Sequence, residues 1–171
     1  MVKLVVITGS MGSGKSAVLA EASDVLTLHD IPHAAIDVDS LFLGHIPSAP
    51  SNDEVMYANL RSVCNNYASV GVQRFILARA LETRTQLDLC REITSAANTT
   101  VCRLAASLET LRHRVKARES GALQQEFVAR VAELNSILDR ARLEDFTVAN
   151  ENRPLMEVAI EVLLKAGWIS N

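Results

Sequence analysis

Near the N-terminus, Gly9, Ser10, Met11, Gly12, Ser13, Gly14, Lys15 and Ser16 follow the spacing G-x-x-x-x-G-K-[ST]. Glycines let the backbone take conformations closed to other residues, so successive N–H groups can turn inward around a polyphosphate. A helix running on from the loop through Ala17 adds unpaired N–H groups and the positive end of its dipole. The Lys15 ammonium can reach β- and γ-phosphates, and the Ser16 hydroxyl can ligate Mg²⁺. Residues 9–17 are the candidate site for a nucleotide such as ATP with Mg²⁺.

Two acids, Asp37 and Asp39, flank Val38. Alternation along an extended segment sends both carboxylates to one side. One could serve the Mg²⁺ shell and the other accept a proton from an attacking hydroxyl; the residue types do not say which. Asp39 also suits the cap of a helix beginning at Ser40.

Several arginines could meet an anion. Arg79, just after an apolar run, suits an anionic or polyhydroxylated substrate through its fork of donors. Arg61 and Arg84 fit either substrate contact or a solvated helix face. Arg114 and Arg118 stand four apart, where like charges repel unless an anion lies between them. Such a pair could stabilise a transferring phosphoryl group. His113, between them in sequence, reads as an ordinary surface or partly buried side chain.

The polar run Asn150, Glu151, Asn152, Arg153, Pro154 either shapes a base-binding loop beside the phosphate site or merely caps a helix. His29, His33 and His45 have no partner pattern, and Trp168 reads as a packing anchor.

These residues need a scaffold that gathers them. The chain has 171 residues, 49% hydrophobic, with a net charge of −3. That suits one soluble domain and offers no basic field for nucleic acid. No run approaches the length of a membrane span, and the opening apolar run is too short for a signal segment. Cys64, Cys90 and Cys102 lack metal-ligand spacing and read as free buried thiols in a reducing cytoplasm.

Strand and helix patterns alternate. Strands are expected at 3–7, 33–37, 74–78, 99–104 and 146–149, and helices at 17–28, 53–70, 83–93, from 107, and 124–138. A last helix is bracketed by Pro154 and Gly167. In the second helix Val55, Leu60, Val63 and Tyr67 stand near helical spacing; in the one capped by Ser107, Leu108, Leu111 and Val115 share a face. This order implies an α/β sandwich on a parallel sheet, with ligands beyond the carboxyl ends of the strands.

With these residues in place, the chain resembles the small P-loop kinases of the nucleoside-monophosphate-kinase-like group, which includes adenylate, shikimate, gluconate and adenylylsulfate kinases. Asp37-Val38-Asp39 is similar to the D-x-D of shikimate kinases, where the first acid lies near Mg²⁺ and the second contacts the substrate hydroxyl. Residues 111–114 with Arg118 resemble the lid helix, whose arginines contact ATP phosphates. Residues 150–154 resemble the adenine-side loop. The resemblance implies a three-layer sandwich with parallel strand order 2-3-1-4-5 and a short lid around 112–123. The chain departs from the group in three ways. The third strand lacks a terminal Asp, the glycine-rich turn of shikimate kinases is missing there, and the lid lacks zinc-ligand cysteines.

The leading expectation is a cytoplasmic, single-domain, ATP- and Mg²⁺-dependent phosphotransferase acting on a small metabolite or nucleotide. Lys15, Asp37, Asp39, Arg114 and Arg118 would be catalytic. Residues 9–17, Arg114, Asn150, Asn152 and Pro154 would hold ATP, and Ser16 and Asp37 the metal. Asp39, Arg61 and Arg79 would meet an acceptor whose pocket includes the 44–52 loop. The rivals are a nucleotide-binding regulatory module with slow hydrolysis and an antibiotic phosphotransferase. Neither membrane nor nucleic acid is an expected partner, and monomer and homodimer stay equally open.

Overall fold

A computed structural model describes residues 1–44, 46 and 52–170. Five strands, β1 (Lys3–Thr8), β2 (Ala34–Asp37), β3 (Arg74–Ala78), β4 (Asn98–Ala105) and β5 (Phe146–Ala149), form one parallel sheet in the order β2-β3-β1-β4-β5. This is the order that the resemblance implies. Among the described residues the α-helices are α1 (Lys15–Leu28), α2 (Asn52–Ser69), α3 (Arg84–Thr94), α4 (Leu108–Arg118), α5 (Gln124–Ala141) and α6 (Leu155–Lys165). Among the described residues no helix is long and apolar enough to cross a membrane.

β1 is apolar on both faces because both are covered. Val5 and Ile7 point into a cluster with Val18, Ala22 and Leu26 of α1 and Val158 and Val162 of α6. Leu4 and Val6 point the other way, to Leu60 of α2 and Leu87 and Cys90 of α3. Side chains alternate across a strand, so a central parallel strand needs apolar residues at every position. A third, small cluster of Leu111, Val115 and Val131 joins α4 to α5, and Met11 of the phosphate loop packs on it. Trp168 is a packing anchor, buried against the α1–α6 cluster.

Helix ends follow local chemistry. Thr83 and Gln86 form a reciprocal capping box at α3, and Ser107 accepts the Thr110 N–H at α4. Pro154 occupies the N-cap of α6, with Leu155 the first helical residue. α1 follows Gly14 with no side-chain cap and no acid in its first turn.

Three local expectations change. The buried seam of α2 is Met56, Tyr57, Leu60 and Cys64, while Val63 packs only at its margin and Tyr67 is 40% exposed. Sulfur-bearing side chains fill a core as readily as aliphatic ones, and they turn this helix away from the Val55–Tyr67 face. Leu108 is 41% exposed, because the small core under α4 extends only to Leu111. The extended run through Asp37, Val38 and Asp39 stops at Asp37. Val38–Leu41 is a short 3₁₀ helix, and its cap is Asp37, accepting the Asp39 N–H, rather than Asp39.

His33 is structural, its ring nitrogens 2.8 Å from both the Ser23 hydroxyl and the Ile31 carbonyl. Cys64, Cys90 and Cys102 are free and buried, and burial pushes their thiols up to about 11, 12 and 12. His45 and most of the 44–52 loop lie outside the described residues.

Candidate active site

Beyond the carboxyl ends of β1 and β2 lies a cavity of about 440 Å³ lined by Gly12, Gly14, Lys15, Ser16, Asp37, Asp39 and Arg118. Its floor is the loop from β1 to α1. Gly12 has φ +78°, and a Cβ there would stand 2.6 Å from the Leu111 carbonyl oxygen, so the loop lies directly against α4. Only glycine combines that backbone conformation with that approach. A Cβ on Gly14 would likewise meet the Asn150 amide at 2.3 Å.

The loop is fastened from three directions. The Ser10 hydroxyl donates to the Val131 carbonyl of α5 at 3.0 Å, and Arg114 Nη1 donates to the Gly12 carbonyl at 3.3 Å. The buried Asn150 amide donates to the Ser13 carbonyl at 2.7 Å. Lys15 Nζ crosses the loop to the Gly9 and Ser10 carbonyls at 3.1 and 3.2 Å. Burial pushes this ammonium below its ordinary pKa, against the upward pull of Asp39 and Asp37. The loop amides and the uncapped start of α1 remain a concave, positive cradle suited to polyphosphate.

The two carboxylates have different neighbours. Asp37 Oδ2 accepts the Ser16 hydroxyl at 2.5 Å, which puts two hard oxygen donors side by side at the head of α1. That pairing fits Mg²⁺, which keeps most of its shell as water and phosphate oxygens and needs only one or two protein oxygens. Asp39 instead accepts from Arg79 Nη1. Arg79 Nη2 reaches both carboxylate oxygens of Asp53 at 3.1 and 3.3 Å, and Nη1 lies 3.4 Å from Met56 Sδ. Burial disfavours the Arg79 charge, but Asp39 and Asp53 more than offset this, and its pKa stands above the ordinary value.

The other singled-out residues divide. Arg118 lines the cavity and pairs with Glu119 at 2.8 Å, while Arg114 turns to Gly12, so they do not close on one point. His113 is exposed. Arg61 pairs with Glu92 of α3 at 2.8 Å and is not among the residues lining the cavity. Asn152 and Pro154 lie exposed in the β5–α6 loop, with Asn152 at φ +55°.

Glu151, which the sequence offers only as one member of the polar run 150–154, ties that loop to α4. It accepts the Ser107 N–H at 3.1 Å, the Ser107 hydroxyl at 2.8 Å and the Thr110 hydroxyl, and these bonds hold its pKa below the usual value, Thr110 contributing most. Asp53, Met56 and Tyr57 were also missed. A small polar residue opening a helix reads as a cap until β3 is placed beside it.

Solved structures share this architecture along the whole chain. A gluconokinase from Sinorhizobium meliloti superimposes with a TM-score of 0.61 at 22% identity, covering 96% of this chain and 91% of its own. An APS kinase from Mycobacterium tuberculosis, in complex with AMPPNP and APS, gives 0.61 at 20%, covering 95% of each chain. The fold is that of the small P-loop kinases. A shikimate kinase from Acinetobacter baumannii, in complex with shikimate, gives 0.58 at 14%, covering 96% of this chain and 93% of its own. No family model and no curated protein matches the sequence. In this chain the loop from β1 to α1 lies at the carboxyl edge of the sheet, beside Asp37 at the end of β2 and Asp39 just after it.

Proposed function

We propose that the protein is an ATP- and Mg²⁺-dependent phosphotransferase for a small hydroxyl-bearing acceptor, working as one domain over residues 1–171. The observation that carries this reading is the division of the acids around a single cavity: Asp37 on Ser16, Asp39 on Arg79. A site that only bound nucleotide would need the first contact and not the second. The fold shared with small-molecule kinases, one of them solved with AMPPNP, supports the same assignment.

The loop amides and Lys15 bind the polyphosphate. Ser16 and Asp37 hold the metal, which when bound neutralises phosphate charge. Asp39 orients the acceptor hydroxyl and takes its proton as the oxygen bonds to the γ-phosphorus and the bond to the departing diphosphate breaks. Arg118, with Arg114 behind it, lies on a short lid over 112–123 that brings positive charge to the transferring group and excludes water. Asn150 shapes the loop from behind, and the exposed residues Asn152 and Pro154 border the base.

The test is ADP formation across a panel of hydroxylated acceptors, with far-UV circular dichroism as the control for folding. Lys15→Ala is expected to lower turnover by about 100-fold or more. Asp39→Asn is expected to cost a similar factor while MgATP affinity stays near that of the parent, which separates a transferase from a binding module. Near-normal turnover in Lys15→Ala sinks the assignment.

A further inference from the structure

Arg79 stands in the corner beyond β2 and β3 with its side chain 15% exposed, and the protein's own carboxylates already occupy its fork. Asp39 takes one terminal nitrogen, which also touches Met56 Sδ, and Asp53 takes the other. Two acids therefore face one guanidinium, and Asp37 adds a third negative charge on the cavity wall. A carboxylate or phosphate entering here would have to displace Asp39 or Asp53 from a charge-assisted pair while approaching their like charges.

A second, independent observation lies in the same corner. Tyr57, one turn along α2 from Asp53, is only 7% exposed, and its hydroxyl is buried beside the Arg79 side chain. It lies close enough to Arg79 and Asp53 to feel both charges. Arg79 Nε is likewise buried. Both atoms are shielded from solvent and lie beside each other, so Tyr57 is a further group of the chain itself placed to hold the Arg79 guanidinium.

We propose that the acceptor is an uncharged or cationic hydroxyl compound, and that Asp39 and Asp53, by holding Arg79 between them, exclude acceptors bearing a carboxylate or phosphate near that corner. The proposal rests on the phosphotransferase reading and narrows its substrate class. Hydroxyls or an ammonium can donate to the acids without breaking the Arg79 pairs.

The experiment has two arms. In the first, the Arg79 Nε–H resonance is followed by ¹⁵N NMR while inorganic sulfate is titrated into the parent and into Asp53→Asn. Asparagine preserves the shape of the side chain and removes the negative charge that pairs one edge of the fork. Sulfate is expected to bind the variant at least about 10-fold more tightly than the parent, one decade being about 1.4 kcal/mol; equal affinity overturns the proposal.

In the second arm, kcat/KM is compared for polyols and amino alcohols against sugar acids and sugar phosphates. Transfer confined to the first group is expected. A sugar acid or phosphate used as well as its neutral counterpart by the parent enzyme overturns the proposal and leaves the transferase reading standing. Absence of MgATP binding and of turnover with either group overturns the transferase reading, and with it the acceptor class.

Discussion

The two flanks of the sheet's carboxyl edge are fastened differently. Around the phosphate loop, the bonds from Ser10, Lys15, Arg114 and Asn150 all end on main-chain carbonyls. Around Arg79, the fastening is charge against charge, with Asp39 and Asp53. A carbonyl network holds a backbone shape, which a phosphate cradle requires. A network of opposed charges holds a pattern of potential, which discriminates among incoming molecules.

The sharpest way to break the first flank is Gly12→Ala. The new methyl would press on the Leu111 carbonyl at 2.6 Å from a left-handed backbone, and overpacking with that strain is expected to cost about 2–5 kcal/mol. Gly71 is the control. Its φ is +90°, but a Cβ there meets nothing within 4 Å, so Gly71→Ala is expected to cost only about 1–2 kcal/mol. Thermal melts should order the two, and MgATP binding should be lost in Gly12→Ala alone.

Salt should separate the flanks. Asn150→Ala leaves the buried Ser13 carbonyl without its amide and is expected to cost about 1–3 kcal/mol at any ionic strength. Asp53, half-exposed, is expected to contribute at most about 1 kcal/mol, fading as salt rises from about 0.05 to 1 M. Denaturant midpoints at both salt levels check this; a salt-sensitive Asn150→Ala would erase the contrast.

The smallest effect should come from Glu151, which ties the β5–α6 loop to the start of α4. Its folded pKa lies below the ordinary 4.5, so the unfolded chain binds more protons in the acid range. Its contribution is therefore present above about pH 4.5 and is lost as pH falls through the folded value. The difference in melting temperature between the parent and Glu151→Gln should close over that window.

The legibility of the sequence follows the same division. The phosphate loop is contiguous, so its motif could be read directly, and β1 and α1 formed where that motif requires them. The sheet order was legible only through resemblance, since strand spacing carries no record of which strands are neighbours. The neighbourhood of Arg79 was half-legible. Arg79 and Asp39 stood out as residues following strands, but Asp53 and Tyr57 reach them only through the packing of α2, whose inward seam pattern reading misplaced. The pairing of Asp37 with Ser16 was hidden for a related reason. The strand ends at Asp37 as expected, but the run does not stay extended through Asp39, and the 3₁₀ turn that follows leaves the two carboxylates with different partners.

The chain's single tryptophan has a practical bearing. Trp168 packs near Ile31, past the C-terminal end of α1, and the helix's 14 residues set about 20 Å between that end and the phosphate loop. Intrinsic fluorescence will therefore follow melting of the α1–α6 layer while staying dark to events at the cavity. A ligand titration monitored by tryptophan emission would look silent even at saturation, and an emission change on adding nucleotide would mean that the far end of α1 had moved.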